Sequence, residues 1–294
     1  MKILAGLFLV PVLIVFVAIV GQELRYLHVR RNLAIDRQPL LHSGSVFHVT
    51  SLLKLAPHQG LLDGVRDFVG AVERDGAKVV YAGKVVVNGR TSSQLPSDDW
   101  EAIVLTQYPS RAAWDAASAS QERRDLEARF ENIYSLGMKR SAAVNLLIPI
   151  ALLRARVSQL VRREPPRYPF QPGLLSPEDN PFRKLMPANV EYSRDAMVIV
   201  NFAKEGTRDQ RKANSGYGGQ MFALFAETGS GPTHMGRAVT VEGDAEFDQV
   251  IIVFYPGLEF FVEMVEGSFY QGIFGGKQLG DDLSTLTVPL LQHL

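Results

Sequence analysis

Trp100-Glu-Ala-Ile-Val-Leu-Thr-Gln-Tyr-Pro-Ser-Arg-Ala-Ala-Trp114 is answered later in the chain by Phe247-Asp-Gln-Val-Ile-Ile-Val-Phe-Tyr-Pro-Gly-Leu-Glu-Phe-Phe261. Each stretch reads as an apolar strand, a Tyr-Pro stop and the start of a helix, because proline has no N–H to give to a sheet ladder. A second paired signal lies upstream of each, Ala82-Gly-Lys-Val-Val-Val and Met235-Gly-Arg-Ala-Val-Thr. Two signals in matching places predict that the chain is two diverged copies of one domain.

Around the first copy, Val46-Phe-His-Val-Thr alternates as a half-buried strand. From Gln59 to Glu73, Leu61, Leu62, Val65, Phe68, Val69 and Val72 fall on one helical face. Lys78–Val87 is a β-branched strand, Asn88-Gly89 a turn signal, and Ser110 a cap for the helix that carries Trp114. A charged helical stretch is expected to about Gly137. Leu146-Leu-Ile-Pro149 matches Leu286-Thr-Val-Pro289 and is read as the fourth strand. In the second copy, strands are expected at Met197–Phe202, Thr233–Val241, Asp248–Tyr255 and Thr285–Leu290. A polar segment runs from Gly206 to Tyr217, with a short helix at Gln220–Glu227. The order β-α-β-β-α-β is that of the ferredoxin-like split unit.

The expected organisation is therefore α+β. Residues 1–43 form an anchor and juxtamembrane segment, 44–149 a first repeat, 150–193 an amphipathic helix and proline-rich linker, and 194–294 a second repeat. Two facing sheets then close an intramolecular barrel, each covering the face the other leaves bare.

The amino terminus carries its own signal. Ile3 to Val20 is an 18-residue run without charge, including Phe8, Val12 and Phe16. At about 1.5 Å per residue such a run just spans a hydrocarbon core. The positive stretch before it is only Met1-Lys2 and no small-x-small site precedes Gln22, so an uncleaved single-pass anchor is expected rather than a cleaved signal. Arg25, Arg30, Arg31 and Arg37 follow it, which places the body on the cytoplasmic side. In the linker, Ile150, Leu153, Val157, Leu160 and Val161 share a helical face, with Arg154, Arg156, Arg162 and Arg163 mostly off it. That helix is read first as packed on the domain, and second as lying in lipid with its arginines on anionic headgroups. Pro165 to Pro187 marks an extended tether.

Composition closes off several classes. The 31 basic and 31 acidic residues balance to zero net charge, which argues against a nucleic-acid partner. There is no cysteine, so disulfides, thiolate metal sites and a cysteine nucleophile are excluded. The six histidines, His28, His42, His48, His58, His234 and His293, show no metal-ligand spacing, and Gly216-Tyr-Gly-Gly219 lacks the Lys-Ser/Thr of a phosphate-binding loop. No motif implies a cofactor and none is expected. The acidic pairs Asp98-Asp99 and Asp281-Asp282 read as solvated turns.

These motifs, with Ser268-Phe-Tyr-Gln271 in the second copy, resemble those of an uncharacterised family known only as a domain of unknown function, with the dimeric α+β barrel fold. In the first copy Ser120-Gln-Glu-Arg123 departs from that last motif. The resemblance covers roughly 44–149 and 194–294 and implies a barrel whose two halves are usually supplied by two chains. Relatives of the fold include cofactor-independent monooxygenases, isomerases and haem enzymes, which by itself says little about reaction.

Counting in twos places His48 and Thr50 on one face of the first strand, with Ile199 and Asn201 taken as their counterparts. Tyr81 matches His234, and Lys84 matches Arg237. A pocket holding His48, Thr50, Tyr81, Asn201, His234 and Arg237 inside the barrel would mix polar and apolar groups, as ligand sites do. A lone strand histidine is more often structural than catalytic. The first functional reading is a membrane-anchored, non-catalytic binding or accessory protein, including a subunit of a membrane complex. Its alternative is a small-molecule enzyme of the cofactor-independent oxygenase or isomerase type, with its pocket inside the barrel.

Overall fold

The computed structural model describes residues 2–294 except Asn32, Ala34, 36–38, Asp98 and 181–195. The first unit runs β1 (Phe47–Leu55), α2 (Leu61–Arg74), β2 (Lys78–Arg90), β3 (Ala102–Tyr108), α3 (Arg111–Ser118), α4 (Gln121–Glu127) and β4 (Phe130–Lys139). The second runs β5 (Met197–Lys204), α6 (Arg208–Thr228), β6 (Gly231–Thr240), β7 (Gln249–Tyr255), α7 (Leu258–Glu266), α8 (Ser268–Ile273) and β8 (Asp281–Pro289). Helix α1 (Lys2–Val29) precedes them and α5 (Val144–Arg162) joins them.

Eight strands close into one barrel in the order β1-β3-β2-β8-β5-β7-β6-β4. Each unit supplies four neighbouring strands. Two antiparallel seams, β2 on β8 and β4 on β6, join the units, so the intramolecular barrel expected from the repeats is present. Strand alternation sorts the side chains. Leu52, Ile103, Leu105, Val200, Phe202, Ile252 and Phe254 fill the interior, with Trp100, Tyr134 and Phe247 among them. Val49, Leu53 and Val104 face α2 and α3, where they meet Phe68 and Trp114. Ile199 and Val253 face α6 and α7.

The seam between β4 and β6 needs glycine. A Cβ at Gly236 would stand 2.6 Å from the Lys139 carbonyl oxygen, and one at Gly137 would stand 2.9 Å from that of Val239. Only hydrogen fits between backbones this close.

The fourth strand of the first unit is corrected. Leu146–Pro149 is not a strand but the first part of α5, and β4 lies earlier, where a charged helix to Gly137 was expected. The charged residues form two short helices, capped by Ser110 Oγ accepting from the Ala113 N–H and Ser120 Oγ from the Arg123 N–H. Phe130, Tyr134, Leu136 and Met138 then supply the apolar side chains of a strand. Its register on β1 pairs Met138 with His48, as Thr287 of β8 pairs with Val198 of β5. Leu146-Leu-Ile-Pro149 resembled β8 only as a four-residue pattern, and its apolar run continues into a 19-residue helix. Three smaller expectations also change. Asn88-Gly89 lies within β2, paired with β8, rather than in a turn. The segment from Gly206 is helical from Arg208, held by a reciprocal Thr207–Gln210 capping box. That cap outweighs the weak propensity of Gly216, Gly218 and Gly219. Asp281 and Asp282 open β8 rather than a solvated turn; they accept from Ser92, Gln94 and Arg90 and tie down the loop after β2.

The run predicted as a membrane anchor, Ile3 to Val20, is helical throughout. Leu13, Val15, Phe16 and Val17 are exposed, and Val20 is partly so. The end of α1 docks on the body. Arg25 donates to the carbonyls of Ala226 and Glu227 in the last turn of α6, where cationic groups are favoured by the helix dipole, and Tyr26 is buried. Helix α5 packs through Ile148, Leu152 and Gln159. Its predicted stripe faces outward instead: Val157 is 49%, Leu160 64% and Val161 76% exposed. Among the described residues, α5 is the helix long and apolar enough by composition to cross a membrane. The described part of the proline-rich segment lies on the second unit, where Tyr168 meets Phe260 at a tilt and Phe170 meets it edge to face, and Gln271 accepts from the Leu174 and Leu175 N–H groups. Pro181 and Pro187 lie outside the described residues.

Gly236→Ala should destabilise the protein by about 1–3 kcal/mol by wedging the seam apart. Gly219→Ala, on an exposed turn of α6 with open space around the new methyl, should stabilise it by about 0.5–1 kcal/mol. Denaturant unfolding of both variants checks the pair.

Candidate functional site

Two places bring polar side chains together. The first is one end of the barrel interior. His48, from β1, and His234, from β6, point inward with ring centroids 5.5 Å apart. His42 lies 6.3 Å from His48. Both ring nitrogens of His234 lack hydrogen-bond partners, and so does Thr50 Oγ1, while Gln107 is the side chain within reach of His48. Burial, with the nearby Arg140 charge, pushes His48 down to about 3 and His234 well below the ordinary imidazole range. Tyr81 also lies inside, its hydroxyl 2.7 Å from Thr287 Oγ1, which in turn donates to the Val198 carbonyl. Burial raises the Tyr81 phenol far above its usual range. Tyr81 and His234 hold matching register positions, opposite Leu105 and Ile252.

Asn201 and Arg237 do not join this group. Phe47 pairs with Tyr108 as Met197 pairs with Tyr255, so the counterparts of His48 and Thr50 are Val198 and Val200. Taking Ile199 and Asn201 instead is a slip of one residue, and a slip of one turns a side chain to the other face. Arg237 is exposed on the barrel's outside, opposite Lys139 and Gln249.

The second place is where Asn201 does point, a cavity of about 390 Å³ between the sheet of the second unit and its helices. The pocket is thus outside the barrel rather than inside it, because the interior is filled by aromatic and branched side chains. Its floor is the outer face of β5, β7 and β8, with Ile199, Ile251 and Leu286; its roof is α6, with Tyr217, Met221 and Phe222. Polar groups gather at one side. Ser284 Oγ donates to Asn201 Oδ1 at 3.0 Å, and Lys277 Nζ reaches the same oxygen at 3.5 Å. Lys277 also lies 3.4 Å from Asp282 Oδ2, while Arg90 holds Asp282 Oδ1 at 2.9 Å. Burial lowers the Lys277 ammonium from its ordinary value, Asp282 opposes that shift, and Arg90 adds to it. Tyr217 is pushed up to about 12 by burial, and Tyr270 is raised well above the usual phenol range. Both phenols therefore stay neutral and serve as hydrogen-bonding groups.

Sequence reading did not find Lys277, Tyr217 or Ser284. Lys277 follows Gly275-Gly276 in a loop and has no periodic neighbour. Ser284 is visible only once β8 is set in register with Asn201. Among the described residues no group of three His, Cys, Asp or Glu side chains is arranged to hold a metal ion.

No family model matches the chain, so the resemblance to a domain-of-unknown-function family has no counterpart there. No curated protein matches it either. Similar solved structures exist. One is a protein of Fusobacterium nucleatum provisionally described as a monooxygenase, 8% identical over 85% of this chain and 94% of that one, with a TM-score of 0.44. Another is a chlorite dismutase variant from Candidatus Nitrospira defluvii, 12% identical over 86% and 94%, TM-score 0.41. A third is an anthrone oxidase-like protein, 11% identical over 84% and 92%, TM-score 0.42. At these values the likeness is one of chain path. The expectation of a non-catalytic binding or accessory protein is corrected on the chain's own geometry: a formed pocket with converging polar groups fits the small-molecule alternative better.

The two buried histidines make the fold sensitive to acid. Unfolded, each binds a proton near pH 6.5; folded, neither does until far lower. The unfolded state therefore holds more protons between about pH 6.5 and 3, and stability falls as pH falls through that window. The urea midpoint should drop steadily from about pH 7 to pH 4 in wild type, and less steeply in His48→Gln/His234→Gln.

Proposed function

We propose that this chain is an enzyme acting on a small, mostly apolar, fused-ring substrate that carries a carbonyl or phenolic oxygen, bound in the sheet–helix pocket of the second unit. The observation that carries the reading is Lys277, a largely buried ammonium at the polar edge of a mostly apolar cavity. Such pockets use many apolar contacts for affinity and few polar ones for orientation. The cavity has the volume of a small-molecule site, and aromatic groups supply its roof.

Lys277 suits a substrate oxygen on which negative charge develops. In a site with little water, a fixed cation beside that oxygen stabilises an enolate or phenolate far more than it would in solution. Asn201 and Asp282 keep the ammonium directed along the pocket wall. Loss of a proton from the carbon next to the carbonyl, taken up by the Glu205 carboxylate that lines the same pocket, is the step this favours. It opens isomerisation, by reprotonation elsewhere, or reaction of the carbanion with dioxygen.

The test is proton exchange in deuterated water with full-length protein and a panel of hydroxylated fused-ring ketones, followed by NMR. Wild type should speed exchange at the carbon beside the carbonyl. Lys277→Met should cut kcat/KM by about 100-fold or more, as removal of one oxyanion donor does elsewhere, while the unfolding midpoint holds. Binding and exchange that survive Lys277→Met intact would sink the assignment, as would failure of the whole panel to bind.

A second reading concerns place. The exposed apolar side chains of α1 and the outward stripe of α5 support insertion of α1 into a bilayer with α5 lying at its surface, the body being on the cytoplasmic side. Full-length protein should float with vesicles containing anionic lipid. Removal of residues 1–20 should abolish flotation at high salt, and equal flotation without them would refute the anchor.

A further inference from the structure

The polar end of the barrel interior is not used by the pocket just described, and its chemistry is of another kind. Arg140 directly follows β4 and is 3% exposed. Its Nη2 donates to Asn145 Oδ1, while Nε and Nη1 have no partner, and among the described residues no carboxylate pairs with it. Arg30, just after α1, lies over the rings of Tyr26 and Phe254 at 4.5 and 5.6 Å and donates to the Ser230 carbonyl. Its Nε is also unpartnered. Burial brings both guanidinium groups down to about 10. A buried arginine ordinarily sits against a carboxylate, because an uncompensated buried charge is costly. Here Arg140 is buried without one, Arg30 is half-buried with Glu23 in electrostatic reach, and both stand near His234; Arg140, Arg30 and His234 all leave ring or guanidinium nitrogens unmatched.

Two of these groups, Arg30 and His234, meet a cavity, with Arg140 and His48 behind His234. A pocket of about 280 Å³ lies between the end of α1 and the start of α5, lined by Arg30, Thr233, Asn145 and Pro149, and His234 forms part of its wall. His234 is 1% exposed, with both ring nitrogens unpartnered. Gly236, two residues on, lets Arg140 approach: a Cβ there would meet Arg140 Cγ at 3.1 Å. The rim carries Glu23 and Arg31 from α1 and the turn after it, and His42 stands beside His48.

We infer that this barrel mouth is a binding site for a phosphate group, with Arg140 and Arg30 supplying charge and His234 and His48 supplying hydrogen bonds. Donors arriving from α1, β1, β6 and the end of β4 suit a tetrahedral oxyanion better than a planar carboxylate, which two parallel donors satisfy. The cavity exceeds one phosphate, so the group arrives attached to something larger. Entry between α1 and α5 admits either a phospholipid headgroup or a free phosphate ester. An anion also reverses the burial effect on the imidazoles, since a nearby negative charge favours the protonated ring.

The test uses full-length protein in neutral detergent. Inorganic phosphate is titrated with calorimetry, and vesicles of phosphatidylcholine with or without phosphatidic acid are compared by flotation at fixed ionic strength. Nitrogen NMR follows the histidine rings. Phosphate should bind and move His234 and His48 toward the protonated form near neutral pH. Arg140→Met and His234→Gln should each weaken binding at least about tenfold, and the exposed Arg237→Ala should not. Arg140→Lys, which keeps the charge but loses the planar fork, guards against a folding defect and should weaken binding less. Binding of phosphatidic acid vesicles that depends on Arg140 identifies a lipid source; binding of phosphate alone identifies a soluble ester. The inference fails if the folded wild type binds neither, or if binding is indifferent to Arg140 and His234.

Discussion

Closure of the barrel within one chain is the constraint on which everything else rests. Each four-stranded half has an inner face of large apolar side chains that water would not tolerate, and only the other half can cover it. The two seams do this with backbone hydrogen bonds, leaving the eight-stranded ring without a free edge. The β4–β6 seam brings the backbones so close that Gly137 and Gly236 are required. The same closeness leaves room for Arg140 to fold across the barrel mouth. A steric demand of the sheet therefore sets the position of a buried charge.

With the interior filled, each unit has one face left for function, the outer face beneath its helices. The first unit packs this face with Phe68, Trp114 and Phe130, and Arg123 lies over the first two rings at 4.9 and 5.3 Å. The second keeps a cavity there, under a helix whose Gly218 carries no side chain to fill it. Lys277, Asn201 and Ser284 add polarity to that cavity at one edge. The barrel is thus a support, and the larger open cavity beneath the helices lies on one flank of it.

Repeated strand-stop-helix signals made the fold legible, because a Tyr-Pro break after an apolar strand reports backbone chemistry directly. Pairing of Tyr81 with His234 was legible for the same reason. Parity was the weak point. Nothing local distinguishes Val200 from Asn201 as the partner of Thr50; only the ladder from Met197 to Tyr255 decides it. Leu146–Pro149 misled because four apolar residues before a proline suit a strand end as well as a young helix, and length alone arbitrates. Lys277 was illegible because its role comes from burial beside Asp282, a contact between a loop and a strand start. Arg140 was illegible because a charge beside a strand reads as solvated until the residues over it are placed.

The tether between the units has a consequence for how such a molecule evolves and behaves. Where two separate chains make the barrel, every substitution appears twice and assembly depends on concentration. Here the halves meet at an effective concentration set by the linker, so dilution does not part them. Each half also mutates alone. One flank can close into solid packing while its twin hollows into a pocket, and the mouth can gather four donors from unlike places, because the chain is released from the symmetry its repeats still display.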